Sequence, residues 1–94
     1  MVEQKLSILV HEAANVFKAA GATNVYLFGS AAKGTMRDDS DIDFAVSGLR
    51  PERFFKTMSQ AEDVLQRRLD VVDLDESTPF TRYLKQKGGL HRVF

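Results

Sequence analysis

The chain has 94 residues, with 13 basic and 13 acidic side chains, no cysteine, 44% hydrophobic and 28% charged positions. Such a length allows one domain with a modest core, and the composition is that of a folded globular protein, not a disordered one. Zero net charge argues against strong nucleic-acid binding, the lack of Cys excludes disulfides and thiolate zinc sites, and no apolar run approaches the roughly 18 residues of a membrane span.

In chain order, Met1-Val2-Glu3-Gln4-Lys5 lacks the basic-then-apolar layout of a signal peptide, so a cytoplasmic protein is expected. Residues 3–20 place Leu6, Leu9, Val10, Ala13, Phe17 and Ala20 at helical spacing, and Gly21 stops the helix. Residues 25–28 are a short apolar strand ending at Gly29. Residues 41–46 alternate, with Asp41, Asp43 and Ala45 on one face and Ile42, Phe44 and Val46 on the other. Pro51 opens a second amphipathic helix over residues 51–67, carrying Phe54, Phe55, Met58, Ala61 and Leu65, with one of the two phenylalanines open to a partner. Residues 69–74 form a Val-rich strand. Ser77 or Thr78 caps a last helix that runs to about Lys87, before Gly88-Gly89. No repeat or linker interrupts the chain, so residues 1–94 are read as one domain of α/β class: a small mixed sheet of three to four strands packed by helices.

The chemistry concentrates between Phe28 and Asp43. Gly29-Ser30 follows a strand and precedes Ala31-Ala32-Lys33-Gly34, which suits one helical turn. Free backbone N–H groups there, with the Ser30 hydroxyl, make a corner for phosphate oxygens, and Lys33 and Arg37 add positive charge. Asp41 and Asp43, two apart on a strand, project from one face. Their mutual repulsion calls for a cation, and hard carboxylate oxygens completed by water and phosphates suit Mg²⁺. A second ion, roughly 3.5–4 Å away, would need a third carboxylate. Asp70 supplies it if its strand runs parallel beside the Asp41–Asp43 strand, whereas Asp73 falls on the opposite face. Each part has a bland reading by itself: Gly-Ser after a strand is common, and Asp-Ile-Asp suits a half-exposed edge. Asp38, Asp39, His11, His91 and the basic residues Arg67, Arg68, Arg82, Lys85, Lys87 and Arg92 are expected on solvated surfaces, with the C-terminal set basic enough to touch a nucleotide or an acidic partner.

Taken together, Gly29-Ser30, ten residues and then Asp41-Ile42-Asp43 resemble the Gly-Ser-x10-Asp-x-Asp signature of the DNA polymerase beta-type nucleotidyltransferase superfamily. The short chain, Ser40-Asp41-Ile42-Asp43 and Leu69-Asp70-Val71-Val72-Asp73-Leu74 are similar to one branch, the minimal nucleotidyltransferase (MNT) antitoxins paired with HEPN-family ribonuclease toxins. The resemblance runs from the first helix to Gly88-Gly89 and implies a palm-like nucleotidyltransferase fold. It implies that Gly29 and Ser30 bind nucleotide phosphates, that Asp41, Asp43 and Asp70 are the metal-binding catalytic carboxylates, and that Mg²⁺, as two ions, and ATP are needed. It further implies transfer of AMP to a tyrosine of a HEPN toxin, while the sequence leaves open whether the chain works in a homo- or hetero-oligomer. Many members carry Arg where this chain has Lys33, which keeps the charge but not the two-pronged hydrogen bonding. Two other readings stand beside this one. A non-catalytic antitoxin or nucleotide-binding module could neutralise its partner by covering it. Transfer to a small-molecule acceptor would call for a substrate-holding domain that 94 residues leave no room for.

Overall fold

The computed structural model describes residues 4–29, 32 and 41–93. Helix α1, Gln4–Ala19, buries Val10, Ala13, Ala14 and Phe17 on one stripe and exposes His11, Glu12 and Asn15 on the other, as its spacing predicts. The chain then reverses, the Ala22 amide donating to the Phe17 carbonyl at 3.0 Å. It enters β1 (Asn24–Phe28), followed by β2 (Ile42–Ser47). Helix α2 (Pro51–Leu65) crosses over to β3 (Leu69–Asp73), and α3 (Pro79–Lys87) leads to β4 (His91–Arg92).

The four strands lie in the order β3-β2-β1-β4. β1 pairs antiparallel with β2 and β4, and β2 pairs parallel with β3, so the expected small mixed sheet packed by helices is met with four strands. A parallel β2–β3 pair cannot be joined by a tight turn, and α2 supplies the crossover. Helices α1 and α2 cover one face, where Val25, Leu27, Ile42, Phe44, Val46 and Leu69 meet Phe17, Ala61 and Leu65. Phe17 and Phe44 pack ring to ring at 5.5 Å. Each such large apolar side chain contributes about 1.5–3 kcal/mol on burial. The alternate residues of the strands face α3, where Ala45, Leu74 and Leu84 form a smaller core flanked by Tyr26, Phe28 and Val72.

Several element ends shift by one residue from the sequence expectation, and α2 and β4 differ further. α2 stops at Leu65, two residues early, because Gln66 adopts the left-handed conformation (φ 54°) and its amide bonds the Glu62 carbonyl at 2.8 Å. The Glu62 carboxylate then accepts the Leu69 amide at 3.1 Å, which starts β3. β4 is only two residues long, too short to leave a periodic signal. The start of α3 is tightly held. Thr78 is its N-cap and accepts the Thr81 amide at 3.1 Å, while the buried Thr81 hydroxyl accepts the Thr78 amide at 2.9 Å and donates to the Glu76 carbonyl at 2.6 Å.

Candidate active site

Strand register assembles the site. Phe28 lies opposite Asp43, and Asp43 opposite Asp70, so the three form one lateral row across β1, β2 and β3 on the face that α3 partly covers. The next row, Tyr26, Ala45 and Val72, is the one on which α3 packs, and Arg92 of β4 extends it. The first row is left open: Asp70 is exposed, as is Asp41 just ahead of β2, and Asp43 is half-buried. Asp73, three residues beyond Asp70, sits on the opposite face, where its carboxylate accepts the Asp75 amide at 2.9 Å.

β2 and β3 run parallel and in register from their first residues, which is the arrangement that brings Asp70 beside Asp43. Burial pushes the Asp43 carboxyl above its ordinary 3.8, and the negative charges of Asp70 and then Asp41 push it further. A hydrogen bond from protonated Asp43 to Asp70 acts in the same direction. An acid held above its ordinary range by its acidic neighbours marks a site short of positive charge.

Gly29, immediately after β1, is in the left-handed conformation (φ 67°), and a Cβ there would run into the Asp43 carboxylate oxygen. The missing side chain is therefore what lets the backbone of the turn lie against Asp43. Ser30, Lys33, Arg37, Asp38 and Asp39 lie outside the described residues, as does all but Ala32 of the expected helical turn at residues 31–34.

Oxygen donors in this number fit a hard cation such as Mg²⁺, which takes one or two carboxylates and completes its shell with water and phosphate. Among the described residues no group of three His, Cys, Asp or Glu side chains is gathered closely enough to hold a metal ion unaided. Asp43 and Asp70 are direct lateral neighbours in the β2–β3 register, with Asp41 acting on Asp43 as a nearby charge. A separate cleft of about 370 Å³ lies between α2, the far end of β3 and the start of α3, lined by Pro51, Phe54, Phe55, Val71 and Thr78, and it contains none of these three carboxylates.

One aromatic residue escaped the sequence reading. Phe80, in the first turn of α3, stacks edge-on against Phe28 with ring centroids 5.9 Å apart, yet stays 48% exposed. Its position two residues after the capping Thr78, in a helix that must lie on the sheet, is the signal that could have found it. Arg92 is exposed as expected, and it also lies 5.2 Å above the Tyr26 ring and donates to its hydroxyl at 3.1 Å.

Carboxylates on adjoining strands of a small mixed sheet, next to a glycine turn, define a nucleotidyltransferase-type palm. The family model "Polymerase beta, Nucleotidyltransferase" matches residues 12–90, and the chain belongs to that nucleotidyltransferase family. Among solved structures, it is similar to one described as a minimal nucleotidyltransferase, with 25% identity and a TM-score of 0.71 over 95% of this chain and 94% of that one. It shares its fold with a chain of a toxin–antitoxin complex with AMP-PNP, at 21% identity and a TM-score of 0.74, covering 89% of this chain and 72% of that one. It likewise shares the fold of a chain from the tri-AMPylated Shewanella oneidensis HEPN toxin in complex with MNT antitoxin, at 17% identity and a TM-score of 0.69, covering 95% and 71%. Comparison with curated protein sequences gives no significant match. Among the described residues no helix is long and apolar enough to cross a membrane.

Proposed function

We propose that the chain, as a single nucleotidyltransferase domain in the cytoplasm, transfers AMP from ATP to a tyrosine hydroxyl of a HEPN-family toxin and so acts as its antitoxin. The observation that carries this reading is the register that sets Asp70 beside Asp43 at the open row of the sheet, next to the Gly29 turn. The AMP-PNP complex and the AMPylated HEPN toxin among the similar structures supply the nucleotide and the acceptor class.

In this reading the Gly29 turn and Ser30 hold the triphosphate oxygens, and Lys33 adds a compensating charge. Asp41 and Asp43 bind Mg²⁺, and Asp70, facing solvent on the neighbouring strand, receives the proton of the attacking hydroxyl and completes the site for a second ion. The bound ions supply charge neutralisation at the α-phosphate, where a tyrosine oxygen bonds and pyrophosphate departs. Orientation is the chain's own share. The β1 side of the row holds the leaving pyrophosphate, and the β3 side admits the acceptor, which places attack and departure on opposite sides.

The test is to incubate the protein with Mg²⁺, ATP labelled at the α-phosphate and the protein encoded by the adjacent reading frame, alongside the Asp41→Asn, Asp43→Asn double variant. Label is expected on the partner with the unaltered chain only. If no label moves and both forms protect equally against the partner's toxicity, neutralisation by complex formation replaces catalysis.

A further inference from the structure

The open row is bounded on its α3 side by a residue with no role in phosphate or metal chemistry. Phe80 rests on Phe28, and Phe28 is the direct lateral neighbour of Asp43. Phe80 nonetheless stays half exposed. Packing alone does not call for this geometry. A ring left half bare beside a polar cleft keeps apolar surface in water, which stacking against a ligand would bury. The reciprocal Thr78–Thr81 bonds and the Thr81 bond to Glu76 fix the backbone turn that carries it.

The layout of the row limits where a nucleotide can extend. Resting on the proposed nucleotidyltransferase reading, the triphosphate occupies the Gly29 side and the acceptor the Asp70 side, so both directions along the row are taken. The nucleoside must leave the row at right angles, either past the strand starts into solvent or inward toward α3. Only the inward course meets an exposed aromatic among the described residues of the row and α3. The first such ring is Phe80, and Tyr83, 56% exposed, lies one turn further along the helix.

We propose that the exposed face of Phe80 is the stacking platform for the base of the donor nucleotide. Stacking on a bare ring is tolerant of base identity and grows with base area. The site therefore discriminates purine from pyrimidine nucleotides by stacking area. Phe80 acts on nucleotide binding, and the reacting atoms stay with the carboxylates.

Calorimetric titration with Mg²⁺ and ATP, CTP or inorganic tripolyphosphate tests this on the full chain and on Phe80→Ala, Phe80→Leu and Phe80→Trp. Leu keeps an apolar cover on Phe28 and so separates stacking from folding, with a thermal melt of each variant alongside. Expected is an affinity loss of about tenfold for ATP in the Ala and Leu variants, a smaller loss for CTP, an unchanged response to tripolyphosphate, and recovery in the Trp variant. ATP binding by Phe80→Leu equal to that of the unaltered chain overturns the inference while leaving the nucleotidyltransferase reading intact. So does a variant that binds ATP normally but no longer labels the partner protein, since Phe80 would then belong to the acceptor's docking surface. If the unaltered chain binds neither ATP nor tripolyphosphate with Mg²⁺, the nucleotidyltransferase reading itself falls, and this inference with it.

Discussion

Gly29→Ala gives the sharpest check on how the site is built. An L-residue held at φ 67° costs about 1–2 kcal/mol. The new Cβ also meets the Asp43 carboxylate, with the Asp43 Cγ only 3.3 Å away, so the acid must swing out of its rotamer for about another 0.5–1.5 kcal/mol. Stiffening of the unfolded chain returns about 0.4–1 kcal/mol, leaving a net loss of about 1–3 kcal/mol. For a chain of this length a loss of 2 kcal/mol lowers the melting temperature by about 8–16 °C. The decisive assay is a double-mutant cycle by calorimetric or circular-dichroism melting. In an Asp43→Ala background the carboxylate is gone, so Gly29→Ala should cost only the backbone part, a coupling of about 1 kcal/mol. Equal cost in both backgrounds would show that Gly29 and Asp43 do not contend for the same space, and a neutral Gly29→Ala would refute the left-handed turn as well.

The raised Asp43 pKa has a definite sign in stability. Because the folded protein holds this proton more tightly than the unfolded chain, stability declines as pH rises from about 3.8 through the raised folded value. Asp43→Asn should therefore melt higher than the unaltered chain at pH 7 without Mg²⁺, and the two curves should converge as pH falls toward 3.8, followed by melts across pH. Thr81→Val should cost about 1–3 kcal/mol, because it leaves the Thr78 amide and the Glu76 carbonyl without their partner; a denaturant midpoint shifted at constant slope checks it. Gly48→Ala should cost about 2–4 kcal/mol, since its Cβ would lie 2.9 Å from the Thr23 backbone nitrogen at φ 84°. Thr23→Ala should rescue it only in part, because it removes the Thr23 Oγ1 and Cγ2 at 2.6 and 2.9 Å but leaves the amide in the way; the same melts decide it.

Much of this was legible from residue pattern. The α1 stripe, the alternation around Asp43, Pro51 as the first residue of α2 and Thr78 as the cap of α3 all follow from local spacing and backbone chemistry, and the structure has them where expected. The facing of Asp70 and Asp43 was legible only conditionally, because no local signal says whether two strands separated by a helix are neighbours. A helix long enough to cross over made that arrangement natural, and the observed register supplies it. Three features lay beyond the pattern. Gln66 takes a left-handed turn that usually falls to glycine, β4 is too short to show a period, and Phe80 owes its place to the docking of α3 on the sheet. The last two depend on long-range contacts, which a single sequence does not encode locally.

The parallel register of β2 and β3 has a consequence for how such a chain can change over time. Side chains on a strand alternate sides, so moving β3 by one position would turn Asp70 toward α1 and α2 and bring Leu69 or Val71 into the open row. Moving it by two would restore the facing but shift the acid along the sheet. The three residues between Leu65 and Leu69, with the left-handed Gln66 and the Glu62 clasp on the Leu69 amide, thus act as a length gauge. Single-residue insertions or deletions there should be far less tolerated than substitutions, even though Gln66 and Arg68 are exposed and touch no part of the chemistry.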